Sequence, residues 1–243
     1  MDTNATTGAG AAGKPKARIK KLLIRGAAVL VVGAVAGHLA WKYSGSKRWT
    51  KVGERNGVTV YSMKSPGSTI EKFKAVWKIH SRLSRVVMWV SDTDEGPQDH
   101  AMGLYDLKIL ERRGERVSWS SYKQPIVSFL TPREFVIKTE FEQDPKTRAL
   151  IYSVTAEPDR IPPNDCCVRI SVMDNRWTLA PLSNGDIEVE WFSDMDLGGA
   201  VPYILQNLVM PEGMLSFAPK LQGFMEREKY KNAKYDWIQE IEP

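Results

Sequence analysis

The side chains able to do covalent or metal chemistry are few and badly spaced for it. Cys166 and Cys167 are adjacent and are the chain's only cysteines. On a strand, neighbours point to opposite faces, so the pair reads as two small half-buried residues with no disulfide framework. A thiolate nucleophile there would need an imidazole brought close. The three histidines are His38, His80 and His100, none at metal-ligand spacing, and His38 lies inside an apolar segment. Asp92, Asp94, Glu95 and Asp99 cluster, but a calcium loop needs glycine at its sixth position and glutamate at its twelfth. Counted from Asp92, Gly96 is fifth and no glutamate closes the loop, so the cluster reads as a solvated turn. No Gly-x-Ser-x-Gly elbow, phosphate-cradling loop or dinucleotide fingerprint occurs. The expectation is no catalytic residue, no metal and no cofactor.

One cation stands apart. Arg169 sits between Val168 and Ile170. Facing inward, it must meet a carboxylate (Glu134, Asp194 or Asp196) or a ligand, because an unpaired buried charge is costly. Facing outward, it meets solvent. Glu134 and Asp194 are also the groups that acid/base work inside a cavity would draw on, were their pKa values raised.

The elements that must position these groups are mostly strands. Trp49–Val52 and Val58–Tyr61 flank Asn56-Gly57, a hairpin signal. Phe73, Ala75, Trp77 and Ile79 alternate with Lys72, Lys74, Lys78 and His80. The period then changes. Leu83, Val86, Val87 and Val90 mark an amphipathic helix with Ser81 as its cap. Strands follow at Tyr105–Glu111, Val117–Tyr122, Glu134–Phe141 and Arg148–Ala156. Val168, Ile170 and Val172 alternate against Arg169, Ser171 and Met173, predicting another strand. A strand from Trp177 reaches the Asn184-Gly185 turn, and Ile187, Val189 and Trp191 return from it. Gly198-Gly199 allows a sharp bend, and Pro202 suits a first helical turn. Val201, Leu205, Leu208, Leu215, Ala218, Leu221 and Met225 trace the apolar stripe of a long helix, with a kink or break expected at Pro211 and Pro219 a candidate for another. The fold class is α+β, a curved antiparallel sheet wrapped around a long C-terminal helix.

The Val168-Arg169 strand, Trp177-Thr178-Leu179-Ala180-Pro181, the Asp196-Leu197-Gly198-Gly199-Ala200-Val201-Pro202 elbow, and Asn207 with Pro211 together resemble the end of the START (steroidogenic acute regulatory-related lipid-transfer) domain. Pro132-Arg133-Glu134-Phe135-Val136 resembles the family's Arg-Asp-Phe-Val strand start, with Glu134 where aspartate is usual. The resemblance spans 49–225 and implies the helix-grip fold with an internal cavity for a lipid or sterol-like ligand. Candidate wall residues are Trp77, Trp119, Tyr122, Phe129, Phe135, Trp177, Trp191, Leu208 and Leu215, with Arg169 as a ligand contact; core packing is the competing role for each aromatic. Between two prolines, Ile126, Val127, Phe129 and Leu130 form an apolar loop. It is either a core-packed bend or, as the resemblance implies, an omega loop gating the cavity. The function implied is non-catalytic binding of one hydrophobic molecule by a monomer, with intermembrane transfer of that molecule as its extension. The alternatives are a cyclase or hydratase of the same superfamily, or a membrane-tethered lipid sensor.

Charge partitions the chain. The formal net charge is +5, but residues 1–51 hold ten Lys and Arg against Asp2 alone, or +9, leaving −4 for the rest (5 − 9). A mildly acidic domain gives no reason to expect nucleic acid as a partner. Residues 1–21 read as a disordered basic tail and 22–43 as a transmembrane anchor, with Trp41 and Tyr43 at an interface. Ala34-Val35-Ala36 keeps a cleaved signal peptide open, and a buried soluble helix is the third reading. A weak basic bias places the domain on the periplasmic or exterior side, with a cytoplasmic-facing domain the other outcome. Residues 226–243 read as a charged extension with marginal packing.

Overall fold

The computed structural model describes residues 14–93, 103–126 and 130–241, with side chains from residue 19 onward. Val127 and Phe129 of the expected gating loop, the 94–100 acidic stretch with His100, and the first thirteen residues lie outside them. The chain forms two compact units, Met1–Ser44 and Gly45–Pro243.

The first unit carries helix α1 (Lys14–Tyr43). From Ile19 to Tyr43 it has 25 residues, predominantly apolar, with none of the apolar window buried. At 1.5 Å per residue they span about 38 Å, enough for the roughly 30 Å hydrocarbon core of a bilayer. Length and composition suit an anchor and a signal sequence alike.

The second unit begins with a meander: β1 (Thr50–Arg55), β2 (Val58–Met63) and β3 (Lys72–His80). Asn56 and Gly57 both take positive φ, the twist-matched two-residue turn their sequence favours. Helix α2 (Leu83–Ser91) follows, then β4 (Tyr105–Arg113), β5 (Val117–Gln124), β6 (Arg133–Gln143) and β7 (Leu150–Ala156). The last strands are β8 (Val168–Arg169), β9 (Val172–Pro181) and β10 (Asp186–Asp196), before helices α3 (Tyr203–Phe217), α4 (Lys220–Met225) and α5 (Glu228–Lys231). The sheet order is β1-β2-β3-β10-β9-β7-β6-β5-β4, antiparallel throughout, with β8 pairing parallel to the start of β6. The core lies where the inward faces of β2, β3, β9 and β10 meet α2, α3 and α4: Val60, Ala75, Trp77, Leu179 and Val189 pack with Val87, Met214, Phe217, Leu221 and Met225. This is the curved sheet and C-terminal helix layout expected from the alternation.

Four local expectations change. The strand read through 168–173 is two strands. β8 bonds to β6 while β9 bonds to β7 and β10, so the chain changes neighbours at Ile170–Ser171. The alternation breaks there: Ile170 is 1% exposed and Val172 53%. Cys166 and Cys167 precede β8 in a turn and are joined by a disulfide, so the expectation of two unpaired cysteines splayed by a strand is corrected. Helix α3 runs through Pro211 and ends at Phe217, with Pro219 heading α4. Its stripe is also altered: Leu208 is 74% exposed, and Gln206 is the buried residue of that turn.

The C-terminal stretch is not marginally packed. Tyr230, Ala233 and Ile238 are buried. Both Glu240 carboxylate oxygens accept the first amides of α2, Leu83 N at 3.0 Å and Ser84 N at 2.9 Å. A negative charge at a helix N-terminus satisfies orphan donors and complements the macrodipole. It does here what Ser81 was expected to do from within the chain.

Candidate functional site

Period-2 alternation sends every second side chain of the β5–β10 half of the sheet into the concavity. There they enclose a cavity of about 400 Å³. Ser118, Ser120 and Tyr122 come from β5, Ile137, Thr139 and Phe141 from β6, and Tyr152 and Val154 from β7. β9 supplies Met173, Asn175 and Trp177, and β10 supplies Trp191. Trp89 of α2 and Tyr235 near the C-terminus complete the wall, and Arg112, Glu115 and Arg116 stand on an exposed rim.

The wall is largely aromatic. Trp177 stacks on Trp191 with centroids 5.3 Å apart, and Phe217 meets both rings edge-on at 5.8 and 5.5 Å. Phe141 stacks on Tyr152 at 4.7 Å. Burial pushes the Tyr122 and Tyr152 phenols well above the usual tyrosine range, with the Tyr152 phenol adding to the rise at Tyr122, so both stay neutral donors. Among the described residues no charged side chain reaches the inner wall from these strands, and the charged lining residues Arg112, Glu115 and Arg116 stand at the rim. Such a site holds an apolar body and orients it with a few neutral hydrogen-bonding groups.

Beside the cavity lies a smaller core of Phe135, Ile137, Val154, Ile170 and Leu197, with Ile126 and Val201 packed against it. Here Arg133, 2% exposed, donates from Nε to Leu197 O (3.0 Å), from Nη2 to Gly198 O (3.0 Å) and from Nη1 to Thr131 O. It thus ties the end of the 125–131 loop to the elbow that leads into α3. Gly198 and Gly199 take φ of +61° and +63°, and a Cβ on Gly199 would stand 3.2 Å from Val168. Gln206 then accepts the Leu197 amide at 3.0 Å and donates to Met195 O. Asn207, on the next position, accepts from Glu71 N (3.1 Å) and donates to Thr69 O (3.0 Å). The start of α3 is therefore clamped to both sides of the sheet.

Of the expected wall residues, the structure brings together Tyr122, Trp177 and Trp191. Phe135 is one layer out, stacked on Tyr122 at 4.7 Å in the smaller core. Trp77 meets Trp177 edge-on at 5.8 Å and belongs to the main core, as does Leu215, which packs on Gly53 of β1. Trp119 is on the opposite face. Its indole donates to Glu157 at 2.8 Å, and the Arg113 and Arg160 guanidinium groups lie 4.6 and 4.4 Å from its ring. Trp119 and Tyr122 are an odd number of residues apart, so one strand cannot aim both inward. Leu208 points to solvent. Ile126 and Leu130 are half-buried at the two ends of the expected gating loop.

Arg169 is spent elsewhere. Its Nη2 and Nε reach Glu134 Oε2 at 2.9 and 3.1 Å, and its remaining donors take the carbonyls of Pro158, Ile161 (3.0 Å) and Pro162 (2.9 Å). The ion-pair reading describes this contact, and the pair pins the 158–162 loop outside the cavity. Asp194 pairs with Lys72 at 2.5 Å on the other face of β10. Neither carboxylate faces the cavity. Sequence reasoning missed Trp89, Phe141, Tyr152, Asn175 and Tyr235. The signal for Asn175 was available, two residues before Trp177 on the same strand face.

Comparison with known proteins agrees with this architecture. A STAR-related lipid transfer protein from Xanthomonas axonopodis superposes with a TM-score of 0.67 at 20% identity, covering 74% of this chain and 99% of that one. Human StAR-related lipid transfer protein 5 gives 0.63 at 19% identity, covering 83% and 98%. At these identities the likeness is one of fold. An uncharacterized protein of Pseudomonas aeruginosa is 23% identical over 179 residues, 74% of this chain and 87% of the relative. The family model described as START domain matches residues 43–231, and the chain belongs to that family.

Proposed function

We propose that this protein binds one hydrophobic molecule in the β5–β10 cavity and exchanges it with an adjacent membrane, without covalent chemistry. The observation that carries the reading is the aromatic-rich cavity of about 400 Å³, whose charged lining among the described residues stands at the rim. Burial of an apolar chain there contributes about 0.8 kcal/mol per methylene. The lipid-transfer names of the structural neighbours support the same reading. Tyr122, Trp177 and Trp191 contact the ligand. The 125–131 loop, tied to the α3 elbow through Arg133, is the gate, with Ile126, Val127, Phe129 and Leu130 as its apolar edge. Helix α1 tethers the monomeric domain to one membrane and raises its local concentration there. The Cys166–Cys167 disulfide supports an oxidising, exterior or periplasmic side.

Native mass spectrometry of the full chain released from detergent, with extraction of co-purified lipid, tests this. A stoichiometric hydrophobic ligand, lost in Trp177→Arg, is the expected result. A chain that carries none and takes none from vesicles refutes it and turns attention to the cyclase or hydratase alternative.

A further inference from the structure

At one level of the cavity a row of inward residues crosses four strands: Ser118 faces Thr139, Thr139 faces Val154, and Val154 faces Asn175. The first two satisfy each other, with Ser118 Oγ and Thr139 Oγ1 2.7 Å apart. Asn175 does not share in this. It is 8% exposed, lines the cavity, and its Oδ1 meets no hydrogen-bonding partner among the described residues. The indole N–H groups of Trp89 and Trp191, also in the cavity wall, are buried and unpartnered. Trp77 and Trp237 have unpartnered indoles too and line no part of this cavity, so the weight rests on Asn175, the one amide so placed among the described residues.

A buried amide oxygen left unpaired costs about 1–3 kcal/mol, so groups like it are kept where something fills the need. Water can do so in a polar cavity. A ligand that displaces that water gains only if it reproduces the bond. A carboxylate or phosphate would instead have to shed its hydration with no cation inside to meet it.

We infer that Asn175 is the polar anchor of the cavity and that the ligand is a neutral, single-headed amphiphile whose hydroxyl hydrogen-bonds its side chain, the apolar body lying against Trp177 and Trp191. This rests on the cavity-binding reading above and specifies the ligand's chemistry.

The test uses tryptophan fluorescence of the full chain in amphipol, titrated with dodecan-1-ol, dodecane and dodecanoate, which share one chain length. The alcohol and alkane affinities are each expressed relative to that probe's partition from water into hexadecane, which measures a hydroxyl with no partner, while dodecanoate is compared with the alcohol by dissociation constant alone, because an anion barely enters hexadecane. The wild type is expected to favour the alcohol over the alkane at least tenfold on this scale, with dodecanoate weakest. Asn175→Leu, similar in volume, should cut the alcohol-to-alkane ratio about tenfold while still binding dodecane. The wild-type comparison decides even if the variant fails to fold. Equal relative affinities for alcohol and alkane, or dodecanoate binding tightest, would overturn the inference and leave the cavity reading standing. Binding of no probe would defeat the cavity reading itself.

Discussion

Replacing Arg133 tests whether the elbow and the 125–131 loop are held by one side chain. Arg133→Met keeps length and an apolar stem but removes three donors at once. The carbonyls of Leu197, Gly198 and Thr131 each lose a charge-assisted bond. Such a bond contributes about 1.5–3 kcal/mol, and a buried acceptor left bare adds its own penalty. Against that stands the desolvation of the guanidinium, which pulls its pKa down and which methionine does not incur. The net loss should be about 2–4 kcal/mol. For a domain of this size about 2–4 °C of melting temperature accompanies each kcal/mol, so the drop should be about 4–16 °C. Arg133→Lys keeps the charge but not the planar fork and should recover less than half. Thermal unfolding followed by circular dichroism, with limited proteolysis to locate new cutting near 197–199, measures both. A fall below about 1 °C in Arg133→Met would refute the claim that this residue holds the elbow.

Tyr230 is buried, and its hydroxyl donates to Asp92 at 2.8 Å; burial first, then that bond, push its pKa up to about 12. A phenol whose pKa is raised by folding stabilises fully below its unfolded value near 10, and that contribution drains away as pH climbs through about 12. Tyr230→Phe should therefore lower the urea midpoint at pH 8, and the gap to wild type should narrow between pH 10 and 12; a constant gap would sink the assignment. Glu240→Ala should cost about 1–2 kcal/mol, read in the same denaturation assay, because α2 loses the carboxylate that caps its first two amides. No loss would mean that solvent caps α2 as well. Thiol alkylation followed by mass measurement should label neither Cys166 nor Cys167 before reduction and both after it; labelling of the unreduced chain would show the disulfide is absent.

Much of the sheet could be read in advance, because one wet face and one dry face impose a period of two. The Asn56-Gly57 turn and the Phe73–Ile79 alternation passed directly into β1–β3. The α3 elbow was legible for a different reason: glycine takes the positive φ found at both 198 and 199 with the least strain. What escaped was long-range pairing. Nothing near Ile170 indicates that β8 joins β6 while β9 joins β7, since register is fixed by partners 19 (174 − 155) to 35 (168 − 133) residues upstream. Glu240 lies 156 residues from Ser84, a separation no local pattern can bridge. The cavity was legible as a list of aromatics but not as a surface. Trp119 has the right chemistry and the wrong face, while Asn175, on the right face, is polar and so drew no notice in a search for an apolar wall.

The seam between β3 and β10 has a consequence for how the chain is made. His80 pairs with Asp186, so 106 residues (186 − 80) must be synthesised before β3 can find its neighbour. At about 5–20 residues per second that is an interval of roughly 5–20 s. During it, a finished three-strand meander shows an open edge to everything around the ribosome. Exposed edges invite pairing with other chains, and lysines are a usual guard against it. β3 carries Lys72, Lys74 and Lys78 along one face of that edge. When β10 arrives it brings Asp194 to Lys72 and Glu190 to Lys74. The charges that keep strangers off the nascent strand are the same ones that welcome the correct partner and fasten it in register.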